Sequence, residues 1–133
     1  MAVNLSYCGF RCDLCMAYRP NIDAHPENRA ILSDGWHTYF GFRIPPEQIQ
    51  CDGCKSKSQS TLDQDCPVRP CAQVRDIENC GSCLNYVCEN LSQRLIDFES
   101  IQANFQEPIP EKDRQKFILP YENVHRLKTL RGE

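Results

Sequence analysis

The 133-residue sequence has no run approaching the roughly 18 apolar residues that a membrane-spanning helix requires. Its first residues, MAVNLSYCGFRC, lack the basic segment and apolar stretch of a secretory signal, so a cytoplasmic protein is expected. An excess of one charge is missing as well. Eighteen acidic and 15 basic residues leave a net charge of −3, and the lysines and arginines are spread without forming a block. A phosphate-binding surface needs clustered positive charge, so nucleic acid is excluded as an expected partner, and nothing points to a membrane. Catalytic signatures are absent too. There is no Ser/His/Asp arrangement, phosphate-binding loop or HExxH, and the chain reads as a binding module rather than an enzyme. Apolar residues make up 41% of the chain, but cysteine supplies part of that share. The remainder is thin for this length, so something besides burial must fix the loops.

What is present is cysteine, ten residues in all. Cys8, Cys12 and Cys15 stand in CGFRCDLC, Cys51 and Cys54 in CDGC, Cys66 and Cys71 in CPVRPC, and Cys80, Cys83 and Cys88 in CGSCLNYVC. A two-residue spacer lets a tight turn point both sulfurs at one ion, and Gly53 and Gly81 supply permissive backbone. In a reducing compartment such dense thiols are ligands or redox centres, not disulfides. All ten are therefore candidate metal ligands.

Zinc is the first expectation, with about two ions on four-thiolate sites. The alternative is redox chemistry, either a 4Fe–4S cluster on Cys8, Cys12, Cys15 and one further thiol, or dithiol exchange. Two pairings stay open around one ion: Cys51, Cys54, Cys66 and Cys71, or Cys51, Cys54, Cys80 and Cys83. Two cysteines are then left over. A catalytic zinc with an open position, and Glu89 as its base, is a third arrangement. His25, His37 and His125 are expected at the surface or in satisfied core positions, because thiols already exceed demand.

Periodicity predicts a mainly α protein, one small domain over residues 1–133, with short helices and long irregular loops stapled by cysteine-ligated metal. A short helix is expected over 13–18. A longer one over 26–41 starts at Pro26 and stops at Gly41, with Leu32, Trp36, Tyr39 and Phe40 on one face. Gly35 weakens that helix by about 1 kcal/mol relative to Ala. RIPPEQIQ over 43–50 is a connector. Residues 51–66 form a polar surface loop with solvated lysines. A helix over 67–78 places Cys71, Val74 and Ile77 together. The longest helix is expected over 86–105, capped by Asn85, with Leu91, Leu95, Phe98 and Phe105 in one stripe. Two short helices, 111–118 and 121–131, flank Pro120, and Glu122 and Arg126 form an i,i+4 pair.

In order along the chain, YCGFRCDLCMAY, IPPEQIQCDGC, CPVRPCAQV and ENCGSCLNYVCENL resemble the DUF3795 family of small, cysteine-rich prokaryotic proteins. The resemblance runs over about residues 7–95 and takes in every cysteine. It implies zinc binding through those cysteines and provides no catalytic residue. A helical tail over about 106–131 is weakly covered. The combined expectation is a zinc-ordered module that meets a protein partner.

Overall fold

The computed structural model describes residues 3–56 and 61–133. Its α-helices are α1 Arg19–Ala24, α2 Asn28–Phe40, α3 Val68–Arg75, α4 Glu89–Ser92, α5 Phe98–Gln102, α6 Glu111–Asp113 and α7 Val124–Leu130. After α6 the chain continues through a π-helical turn, Arg114–Ile118, and a 3-10 turn, Leu119–Tyr121. Strand-like pairing among the described residues is confined to two isolated bridges, Leu5 with Arg11 and Tyr18 with Cys51. The protein is mainly helical, as expected. None of these helices is long and apolar enough to cross a membrane.

The longest helix is α2. Leu32 and Trp36 are buried along it, and Tyr39 and Phe40 pack half-buried beside them. Pro26 lies in the turn before the helix. Gly41 ends it at φ 82°, where its N–H reaches the carbonyls of Trp36 and His37. Gly35 proves to be more than a weak point. A Cβ there would sit 2.3 Å from the ring of Phe117, so glycine is what allows the segment after α6 to lie against α2.

Buried side chains form two clusters. One is aliphatic and aromatic: Ala17, Ile22, Leu32, Trp36, Ile49, Ile101, Phe117 and Ile118. The other is smaller and contains thiols: Cys8, Val68, Cys80, Leu91 and Leu127. The expected helix over 86–105 is divided between them. Leu91 and Leu95 pack in the second cluster, whereas Phe98, Ile101 and Phe105 pack in the first. The break is held by Asn123, which is fully buried. Its side-chain oxygen accepts the Ile96 N–H at 2.7 Å, and its amide donates to the Arg94 carbonyl at 2.9 Å. A buried polar side chain that satisfies backbone groups overrides the helical period there.

Other local expectations are corrected in the same way. The helix expected over 13–18 is a single 3-10 turn, Cys12–Leu14. On α3 the buried residues are Val68 and Ala72, and Val74 is 88% exposed. Asn85 does not cap α4; Cys88 does, its sulfur accepting the Leu91 N–H at 3.4 Å. Lys55 is not simply solvated, since it pairs with Glu78 at 3.2 Å and lies over the Tyr7 ring. Lys57, the other lysine of that loop, falls outside the described residues. Glu122 pairs with Arg114 at 2.8 Å, while Arg126 turns to the carbonyls of Gly9 and Leu119.

Near the N-terminus the Arg11 guanidinium forks onto Asp13 at 2.9 and 2.7 Å, and the Asn4 N–H adds a third bond at 3.0 Å. These donors lower the Asp13 carboxyl from 3.8 to about 2. A depressed carboxyl contributes stability above its unfolded value and loses it as pH falls through its folded value. Denaturant unfolding at a series of pH values should therefore show stability falling between pH 4 and pH 2, less steeply in Asp13→Asn. Gly35→Ala should destabilise by roughly 1 kcal/mol despite its better helix propensity, because overpacking costs about 1–3 kcal/mol. Combining it with Phe117→Leu should reduce that loss. Asn123→Ala strands several backbone groups at once, and urea unfolding should register a loss of roughly 3 kcal/mol.

Candidate metal centre

The first cysteine segment is shaped by its backbone. Ser6 N–H bonds the Phe10 carbonyl at 2.8 Å, and Cys12 N–H bonds the Asn4 carbonyl at 2.8 Å. These close a loop that carries Cys8. The Cys12–Cys15 turn is then joined to the Cys51–Cys54 turn by a short backbone pairing. Cys51 N–H reaches Ala17 at 2.9 Å, and Arg19 N–H reaches Cys51 at 2.8 Å. Gly53, at φ 92°, lets the second turn fold against Asn4 and Tyr18. Two CxxC turns distant in sequence thus lie side by side.

Six thiols line one cleft of about 460 Å³: Cys8, Cys12, Cys15, Cys51, Cys54 and Cys66. Trp36, Phe40, Phe42 and Tyr121 form part of its wall. The mutual influence of Cys12 and Cys54 raises Cys12 and lowers Cys54 to about 6. The Tyr7 N–H at 3.3 Å and the charges of Arg69 and Lys55 act in the same direction on Cys54. Burial pushes Cys8 up to about 12 and Cys15 up to about 11. Polar hydrogens already approach several of the sulfurs. Ala17 N–H lies 3.4 Å from Cys15, Gly53 N–H 3.4 Å from Cys51, and the Ser6 hydroxyl 3.3 Å from Cys8.

The other four thiols, Cys71, Cys80, Cys83 and Cys88, line a separate cavity of about 10 Å³. That is about the volume of one water-sized sphere. Each comes from a different local device. Cys71 is on α3, and Cys88 begins α4. Cys80 and Cys83 flank a 3-10 turn that Asn79 caps, its side-chain oxygen accepting the Gly81 N–H at 2.8 Å. The Cys80 N–H bonds the Tyr7 carbonyl at 2.7 Å, which anchors this turn to the N-terminal loop. Burial raises Cys80 to about 12, while hydrogen bonds from Arg75 and Asn90 lower Cys71.

The structure thus distributes the candidate ligands as six and four. Cys71 joins Cys80, Cys83 and Cys88; it does not join Cys51, Cys54 and Cys66. Nor do Cys51 and Cys54 share a cavity with Cys80 and Cys83. Cys8, Cys12 and Cys15 do stand together, in the larger cleft. All ten cysteines are free thiols. Among the described residues, no three His, Cys, Asp or Glu side chains are already drawn around one point tightly enough to hold an ion. His25, His37, His125 and Glu89 are all exposed, and none lines either cavity.

Residues not singled out in the sequence complete the site. The Tyr121 hydroxyl lies 2.9 Å from the Cys15 sulfur, and burial raises that phenol well above its ordinary value. Asn123 donates to the Cys8 carbonyl at 2.7 Å. Arg69 and Arg94 line the larger cleft. The Tyr121–Cys15 contact joins residues 106 positions apart, beyond the reach of local spacing.

A family model described as a protein of unknown function, DUF3795, matches residues 4–93. The matched stretch holds all ten cysteines, and Tyr121 and Asn123 lie beyond it. No curated protein and no solved structure gives a significant match to the chain. Two thirds of the chain fit one family model, and the chain belongs to the DUF3795 family.

Proposed function

We propose that the protein is a zinc-binding module of a reducing cytoplasm, in which a structural ion ties together the segment from α3 to α4. Cys71, Cys80, Cys83 and Cys88 are its ligands. The observation that carries this reading is that these four thiols line one cavity with room for a single ion. Zinc bound by thiolate prefers a tetrahedron with Zn–S distances of about 2.3 Å. Four thiolates fill that tetrahedron and leave no open position for a substrate, so the role is structural. Cys80, Cys83 and Cys88 lie in the chain between α3 and α4 rather than in either helix, and metal binding there supplies folding free energy.

Exposed apolar side chains stand beside these ligands and support a protein partner. Val74 is one turn on from Cys71, Leu84 follows Cys83 and is 99% exposed, and Val87 precedes Cys88. Side chains of this kind are costly to leave in water and are the material of an interface core.

Zinc analysis of protein kept reduced should find the metal bound, and Cys83→Ser should lower the content by one ion per chain. Removing zinc with a chelator under reducing conditions should abolish the cooperative thermal transition seen by circular dichroism. An unchanged transition after complete zinc removal would falsify the structural role.

A further inference from the structure

The zinc ion proposed above takes Cys71, Cys80, Cys83 and Cys88, none of which lines the larger cleft. At about 460 Å³ that cleft falls within the range of about 300–1,000 Å³ usual for small-molecule sites. It lies between the two buried clusters, with Trp36 lining it from the first and Cys8 and Val68 from the second. Four aromatic rings in its wall form a closed circuit. Centroids stand 5.5 Å apart for Trp36 and Phe42, and 6.2 Å apart for Phe42 and Phe40, Phe40 and Tyr121, and Tyr121 and Trp36. Rings attract one another at such separations, so a further flat ring set against them gains the same contacts. Phe42 remains 46% exposed, which leaves the circuit open to solvent at that ring.

The cleft also carries unanswered positive charge. Arg11, Arg69 and Arg94 all line it. Arg11 forks onto Asp13, and Arg94 forks onto Asp63 at 2.7 and 3.2 Å. Arg69 has no carboxylate partner among the described residues. Its Nη2 donates to two neutral oxygens, Thr61 Oγ1 at 3.0 Å and the Asp63 carbonyl at 2.8 Å. Its Nε is buried without a hydrogen-bond partner among the described residues. Cys54 feels the Arg69 charge, but its sulfur accepts from the Tyr7 N–H at 3.3 Å, and no hydrogen bond joins it to Arg69 among the described residues. A buried donor left unpaired is costly, and a planar guanidinium matches a carboxylate closely.

We propose that the cleft binds a small aromatic acid as its carboxylate, with the ring set against Trp36, Phe40, Phe42 and Tyr121 and the negative charge on Arg69. The six thiols complete the wall as small apolar groups. Two neighbouring chemistries fit less well. Aromatic rings also attract ammonium groups, but guanidinium groups in the same cleft repel them. A phosphate monoester brings a second negative charge, which the lining carboxylate of Asp63 opposes.

The test uses the full chain, reduced and zinc-loaded, with 2-naphthoate as the probe. Trp36 is the only tryptophan, so its indole N–H gives a single signal in a nitrogen-15 correlation spectrum. Titration with 2-naphthoate should move that signal saturably. The neutral 2-naphthylmethanol and the cationic 2-naphthylmethylammonium should each bind at least about tenfold more weakly, as loss of one charge-assisted contact implies. Arg69→Gln should weaken 2-naphthoate by a similar factor and leave 2-naphthylmethanol unchanged, which also shows that the variant's cleft is intact. Phe42→Ala should weaken all three. No saturable shift, equal binding of the three probes, tightest binding of the ammonium, or unchanged 2-naphthoate binding in Arg69→Gln would each overturn the proposal. Metal held by the cleft thiols in freshly isolated protein would overturn it as well. Should Arg69→Gln not fold, the ranking of the three probes on the unmutated chain decides alone.

Discussion

The side chain of Asn123 is the tie on which the arrangement depends. It is fully buried, and it satisfies backbone groups from two distant segments at once. It donates to Cys8 in the first cysteine loop and to Arg94 after α4, and it accepts from Ile96. The chain passes close enough for this because Gly9 sits at φ 94°, where a Cβ would approach the side chains of both Asn123 and Leu127 to about 3 Å. One amide thus ties the N-terminal loop to the point where the 86–105 segment stops being helical. A buried amide is tolerated only when it is paired, and each bond here answers a backbone group that has no secondary-structure partner.

Around that tie the thiols replace aliphatic side chains. In the second cluster, Cys8 and Cys80 pack with Val68, Leu91 and Leu127 where larger hydrophobes would ordinarily stand. As neutral thiols they behave as small apolar groups. The burial that makes them good packing also raises Cys8 and Cys80 to about 12. The same environment therefore opposes ionisation until a cation compensates it. Cys54 and Cys71 are exceptions, the first lowered by its neighbour Cys12, the Tyr7 N–H and nearby cations, the second by Arg75 and Asn90. Packing and the proposed ligation would draw on the same sulfur atoms.

Much of this was legible in the sequence, for identifiable reasons. The cysteine groups, the α2 face through Leu32 and Trp36, the Gly41 stop and the connector that delivers the buried Ile49 all follow from local spacing and backbone preference. What stayed hidden was long-range. The stripe from Leu91 to Phe105 is a sound helical pattern, but its halves serve different clusters, and only the position of Asn123 shows where they part. Val74 fits the α3 period and is nonetheless exposed, because Val68 and Ala72 already fill the inward face. The division of ten thiols into six and four is likewise a matter of which turns are zipped together, and equal CxxC spacings carry no record of that. Gly35 was visible only as a weakness, since its purpose is the ring of a residue 82 positions later.

The closing contacts are among the longest in sequence. Asn123 and Arg126 reach back 115 and 117 residues to the carbonyls of Cys8 and Gly9. A polypeptide is made from its N-terminus, so the earliest cysteines are exposed to the cell throughout synthesis and are covered only when the last helix arrives. The order of manufacture gives those thiols a long open interval followed by a late seal. Whatever is to be enclosed beneath Asn123 and Tyr121 has that interval in which to enter. Afterwards its departure is governed by how often the C-terminal segment lifts away.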